Sequence, residues 1–174
     1  SMEQQITRSN SPLQIGQLLL ERNLISSEDL ERGLVIQEST RSRIGLTLVR
    51  IGAISEESLL AVLAEQLMVQ VLKASDIPDI RDAYSFMAAS PVSFDWYLYH
   101  GIIIWPLNDE EIGCAARDLL DPGMLEGIER FWGGKAIKWF LLSSYLFEQL
   151  SASLRRDNEV DRVLKDTEDA AYLK

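Results

Sequence analysis

QIGQLLLERNLISSEDLERGLVIQ, residues 14–37, and RIGLTLVRIGAISEESLLAVLAEQ, residues 43–66, are two copies of one 24-residue pattern. They stand 29 residues apart, with the five-residue spacer Glu38–Ser42 between them. At that offset nine positions are identical: Ile15/Ile44, Gly16/Gly45, Leu19/Leu48, Ile25/Ile54, Ser26/Ser55, Glu28/Glu57, Leu30/Leu59, Leu34/Leu63 and Gln37/Gln66. Self-similarity at a fixed period marks a repeated supersecondary unit.

Each copy carries the signals of two helices. A short apolar run comes first, Leu18-Leu19-Leu20 and then Leu46, Leu48 and Val49. Asn23 and Gly52 follow at matching positions, and both residue types tolerate the left-handed backbone that ends a helix. Ser26 and Ser55 are suited to cap the next helix. Glu28, Asp29, Glu56 and Glu57 put negative charge in its first turn, where the helix dipole favours it. Ile25 with Leu30, and Ile54 with Leu59, have the spacing of a hydrophobic staple. Leu30, Leu34 and Val35, and Leu59, Val62 and Leu63, repeat at helical spacing. Two matching hairpins therefore make a four-helix unit.

Three features go beyond what hairpin packing demands. Gly16 and Gly45 sit at helix starts, as though something approaches the backbone closely. Gln37 and Gln66 end each copy at the same distance from its glycine. Arg43 directly precedes the second motif's Ile44-Gly45. Polar groups at fixed places among leucines suit a flat polar ligand, and two copies suit a ligand with two similar halves. A purely structural repeat is the alternative.

The rest of the chain bounds these readings. Of 174 residues 47% are hydrophobic and 25% charged, the mix of a soluble globular domain or two small ones. A net charge of -10 argues against nucleic acid as partner and against adsorption to anionic lipid. Cys114 is alone, so there is no internal disulfide, and its apolar neighbours Ile112, Gly113, Ala115 and Ala116 read as core. No apolar run reaches the length of a membrane span, and no signal sequence is read at the N-terminus. Ser1-Met2 reads as a remnant ahead of the natural sequence. His100 has no companions for a metal site, and there is no nucleotide-binding P-loop, nucleophile elbow or dinucleotide fingerprint. Asp118 and Asp121, three residues apart, read as turn and capping residues.

Beyond the repeat the expected elements are mixed. Gly101–Leu107 and Glu111–Arg117 read as strands joined by Asn108-Asp109-Glu110. Pro122–Trp132 reads as a helix, Lys135–Leu142 as a third strand, and Tyr145–Arg155 as the start of a final helix. Ser75–Pro78 and Ala89–Pro91 read as turns, and Pro91–Tyr99 as helical. Trp96, Trp105, Trp132 and Trp139 read as packing residues. The fold class is α+β: a leader over 1–11, a helical tandem-hairpin subdomain over 12–67, a small α/β subdomain with a short antiparallel or mixed sheet over 68–150, and a charged helix or linker over 151–174.

The tandem motif resembles the MshEN domain. That domain stands at the N-terminus of many type II secretion and type IV pilus assembly ATPases and is appended to some bacterial inner-membrane glycosyltransferases of phage-receptor type. The resemblance covers about residues 12–150. It includes Leu67–Val71, His100, Pro106-Leu107, a partial match at Arg117–Asp121 to an Ala-Asp-Pro-x-Asp turn, and Gly133. It implies a regulatory, non-enzymatic module that binds cyclic di-GMP, with one guanine served mainly by each copy, and no cofactor or metal. By position, Arg43 would hold the ligand, Gln37 and Gln66 would read guanine edges, and Ile15, Gly16, Ile44 and Gly45 would offer backbone and apolar surface. Leu19, Leu30, Leu34, Leu48, Leu59 and Leu63 would line the site, and Asp118 would contribute from the second half. Gln14 stands where the family has Arg and Asn23 where it has Gly. Arg8, Arg22 and Arg41 are the nearby cations able to replace the lost one. The implied partners are the rest of a host polypeptide and an inner-membrane platform protein, and the implied place is the cytoplasmic face of that membrane, without insertion. The alternative function is protein docking with no ligand.

Overall fold

The computed structural model describes residues 12–77 and 79–172. The expected leader and Arg8 lie outside them. The chain divides into two compact units after Val71; the sequence reading placed the division after Leu67, where a helix ends.

In the first unit four helices follow the repeat: α1 (Pro12–Glu21), α2 (Ser27–Thr40), α3 (Ile44–Arg50) and α4 (Glu56–Leu67). The signals read from the sequence operate at the atomic level. Ser26 caps α2 by accepting from the Asp29 N–H, and Asp29 accepts from the Ser26 N–H in return. Hydrogen bonding from the Ser26 backbone N–H, and then from the Ser26 side chain, holds the Asp29 carboxyl below its ordinary pKa. Ser55 caps α4 through the Ser58 N–H. Asn23 and Gly52 take the same left-handed backbone, φ 57° and 78°. Most of the spacer is helical: α2 runs on to Thr40, where the Ser39 and Thr40 hydroxyls donate back to Ile36 O. It ends at Arg41, also left-handed at φ 57°.

The core of this unit is the repeat folded onto itself. Ile15, Leu19 and Ile25 are buried with their counterparts Ile44, Leu48 and Ile54, joined by Leu59 and Val62. At roughly 1.5–3 kcal/mol for each fully buried aliphatic side chain, these eight supply the main force holding the hairpins together. The unit ends with the two-residue strand β1 (Gln70–Val71).

In the second unit a 3₁₀ turn (Ala74–Asp76) leads to α5 (Ile80–Ala88), α6 (Phe94–Tyr99), β2 (Ile102–Pro106), β3 (Glu111–Ala116), α7 (Pro122–Trp132), β4 (Ala136–Leu141) and α8 (Ser144–Tyr172). β2 and β3 form the expected hairpin, antiparallel from Ile102↔Ala116 to Pro106↔Ile112. β3 pairs with β4 in parallel, from Glu111↔Ala136 to Ala116↔Leu141, so the sheet is mixed and α7 is the crossover. Ile102 to Trp105 and Ile112 to Ala116 are buried, as a strand pair covered on both faces requires. α5 packs on β2 and on α8. α5 was not legible in the sequence. Its cap is Asp79, which accepts from the Arg81 N–H, and it buries Ala83, Tyr84 and Met87. The final helix is far longer than its apolar start: past Leu154 it is mostly exposed, charged and still helical to Tyr172.

Candidate functional site

The residues singled out in the first unit fall into two groups. Ile15, Gly16, Leu19, Ile44, Gly45, Leu48 and Leu59 are buried. They face the interior of the unit. Gln14 and Gln66 are exposed, while Leu30, Leu34, Gln37, Arg43 and Leu63 are half-buried. Only this second group presents side chains to solvent.

The half-buried group is ordered by helix geometry. Leu30, Leu34 and Gln37 stand at i, i+4 and i+7 on α2, so they share one stripe. Leu59, Leu63 and Gln66 repeat that stripe on α4. Each stripe sets apolar side chains beside an amide that can both donate and accept. Arg43 is the N-cap residue of α3, with extended backbone and no capping bond from its side chain. Its carbonyl accepts from the Thr47 N–H at 3.0 Å and the Thr47 hydroxyl at 3.1 Å, which fixes the backbone from which the guanidinium extends.

The two motif glycines have a local explanation. A Cβ at Gly16 would lie 2.6 Å from Leu30 Cδ1, and one at Gly45 would lie 3.0 Å from Leu59 Cδ1. The body that approaches each bare backbone is the leucine of the same hairpin. The glycines thus set how deeply Leu30 and Leu59 sit, and through them the height of each stripe. A third glycine went unremarked in the sequence. Gly33, in the middle of α2, faces Leu48 Cδ2 at 2.9 Å and Ile44 Cδ1 at 3.1 Å from its would-be Cβ. Its counterpart in the second copy is Val62, so a one-sided glycine in a repeat was the available signal.

The cations are unequally committed. Arg22 pairs with Glu65 of the other hairpin; the bond raises the arginine's pKa and lowers the carboxylate's. Arg50 donates to the Ser42 hydroxyl at 3.3 Å. Arg41 is exposed.

In the second unit Asp118 accepts from the Leu120 N–H and Asp121 from the Gly123 N–H, at 3.2 and 3.0 Å, the turn and capping roles read from their spacing. His100 is packed on Trp96, ring centroids 4.5 Å apart, with Nδ1 3.7 Å from Asp121 Oδ2. Trp132 stacks on Phe86 and donates to the Tyr97 hydroxyl. Cys114 is fully buried, and burial pushes its thiol pKa up, away from reactivity. Among the described residues no group of three or more His, Cys, Asp or Glu side chains is placed to hold a metal ion. No described helix is long and apolar enough to cross a membrane.

Comparison with known proteins agrees with this architecture. The structure of MshE with cyclic di-GMP matches with a TM-score of 0.66, covering 82% of this chain and 96% of that one at 24% identity. By fold, the chain is an MshEN-type domain. The N-terminal domain of XpsE matches with a TM-score of 0.59, covering 86% of this chain and 93% of that one at 20% identity. In sequence, the type IV pilus assembly ATPase PilB of Thermus thermophilus is 44% identical over 69 residues, 38% of this chain. Bacteriophage adsorption protein B of Escherichia coli K12 is 33% identical over 131 residues, 74% of this chain. The chain spans 8% and 16% of the lengths of these two relatives. No family model matches it.

Proposed function

We propose that this MshEN-type domain is a regulatory module, without catalysis of its own, that binds cyclic di-GMP through its tandem motif and acts on a larger host protein at the cytoplasmic face of the inner membrane. The observation that carries the reading is the repeated stripe. Leu34-Gln37 and Leu63-Gln66 offer the same chemistry twice, a half-buried leucine one turn from an amide, and cyclic di-GMP offers the same guanine twice. Leucine methyl groups suit the flat base faces. A glutamine amide, donor and acceptor in one plane, suits a guanine edge. Arg43 has the planar fork that pairs with base acceptors or a phosphate. Ile15, Leu19, Ile44, Leu48 and Leu59 act from beneath by holding both stripes in place. The fold shared with MshE, solved with this ligand, supports the choice of nucleotide. PilB and bacteriophage adsorption protein B suggest the kinds of host, an assembly ATPase or a glycosyltransferase.

Isothermal titration tests the proposal. Cyclic di-GMP is expected to bind at micromolar Kd or tighter, with GTP and cyclic di-AMP far weaker and with binding lost in Arg43→Ala. No heat and no thermal shift at about a hundredfold ligand excess would sink the reading and leave ligand-free docking to a protein partner as the function.

A further inference from the structure

The two copies of the motif differ where a symmetric anionic ligand should feel it most. The second begins with Arg43, and the matching position of the first is Gln14, which carries no charge. Cyclic di-GMP has two phosphodiesters and two guanines, so the first half-site lacks a cation that the second has.

Five arginines lie in the described part of this unit, and four are accounted for. Arg43 serves the second copy. Arg22 is tied to Glu65, Arg50 to Ser42, and Arg32 stands on the far side of α2 from the Leu30-Leu34-Gln37 stripe, half a turn around. Arg41 remains. It is exposed, and among the described residues its guanidinium has no ion-pair partner. Its position is specific: the helix carrying Leu30, Leu34 and Gln37 ends at Thr40, and Arg41 is the cap residue directly after it, at the Gln37 end. Its N–H donates to the carbonyl of Gln37 at 2.7 Å, which locks it one turn beyond the glutamine. Its backbone is left-handed at φ 57°, a conformation that glycine or asparagine adopts at lower cost.

We infer that Arg41 supplies the first half-site with the cation that Gln14 does not, pairing with a phosphate or guanine of the bound cyclic dinucleotide. The inference rests on the ligand reading above. It makes the two half-sites chemically alike but differently wired, one cation leading its motif and the other trailing it.

Arg41→Gly is the informative variant, because glycine relieves the left-handed backbone while deleting the guanidinium. Cyclic di-GMP titrations of the chain, Arg41→Gly and Arg41→Gly with Gln14→Arg are compared, with thermal unfolding of each. Arg41→Gly is expected to unfold at the same temperature or higher, to bind about ten- to a hundredfold more weakly, and to show a shallower dependence of affinity on salt. Adding Gln14→Arg is expected to recover most of the loss. Unchanged affinity in Arg41→Gly, beside clear binding by the parent, would overturn the role of Arg41 and leave the ligand reading standing. Failure of Gln14→Arg to recover affinity would refute the substitution of one cation for the other. A parent chain that does not bind cyclic di-GMP would remove both readings together.

Discussion

Replacing Gly33 with alanine tests why α2 and α3 sit as close as they do. The new Cβ would stand 2.9 Å from Leu48 Cδ2 and 3.1 Å from Ile44 Cδ1. Ordinary contact begins near 3.4 Å, so α3 or its side chains must retreat by a few tenths of an ångström. Leu48 is 0% and Ile44 3% exposed, and neither has a free direction to swing into. Over-packing of this kind costs about 1–3 kcal/mol. Against it stands the gain of about 1 kcal/mol when alanine replaces glycine inside a helix. The balance is a loss of about 1 kcal/mol, a drop in Tm of roughly 4–8 °C for a unit of this size. Urea unfolding followed by circular dichroism, on the parent and Gly33→Ala, reads it directly. A variant more stable by the full helix-propensity gain would refute the reasoning, because it would mean that the helices part without cost.

Further outcomes follow from the same packing. Leu48→Ala, at a fully buried site in the core of the first unit, is expected to lose about 2–5 kcal/mol in urea unfolding; a loss under 1 kcal/mol would contradict its place there. Gly52→Asn is expected to change stability by only a few tenths of a kcal/mol, since Asn23 already holds that backbone in the first copy, whereas Gly52→Val should cost about 1–2 kcal/mol; equal losses would sink the argument. The Tyr84 hydroxyl, partly buried and donating to Asp161 on α8 at 3.0 Å, has its pKa pushed up to about 12, first by desolvation and then by that bond. The folded state therefore holds its proton more tightly than the unfolded one, whose value is near 10. Stability from this group is complete below pH 10 and is lost as pH rises towards 12. Unfolding at pH 9 and pH 11 should show a drop that Tyr84→Phe reduces, and an equal drop in the variant would place the cause elsewhere.

The first unit was legible because duplication wrote every signal twice. Ile15/Ile44, the Ser26/Ser55 caps and the Asn23/Gly52 turns could be read by comparing copies, and each is where the comparison put it. What occurs once was harder. Gly33 has no glycine partner, and its meaning depends on which helix crosses it. α5 is nine residues long, follows a stretch rich in turn residues, and shows its apolar face only once Tyr84 is counted as core. The spacer 38–42 read as a gap because the motif ended at Gln37, yet hydroxyl-to-carbonyl bonds carry the helix on to Thr40. In the site, sequence identified the glycines but not what touches them. A leucine tip and a ligand ask for the same empty space beside a backbone. Nor did periodicity separate floor from surface: Leu19 and Leu30 belong to the same motif, and only packing leaves the first sealed and the second partly open.

Cys114, sealed in the middle strand of the second unit's sheet, makes the chain its own clock. While β3 stays folded, the thiol is out of reach of any alkylating reagent and too weakly acidic to react. Its modification rate therefore counts openings around β3, and the first unit has no cysteine of its own to add to the signal. A nucleotide added to such an assay would show whether an event among the leucines of the repeat is felt at the sheet.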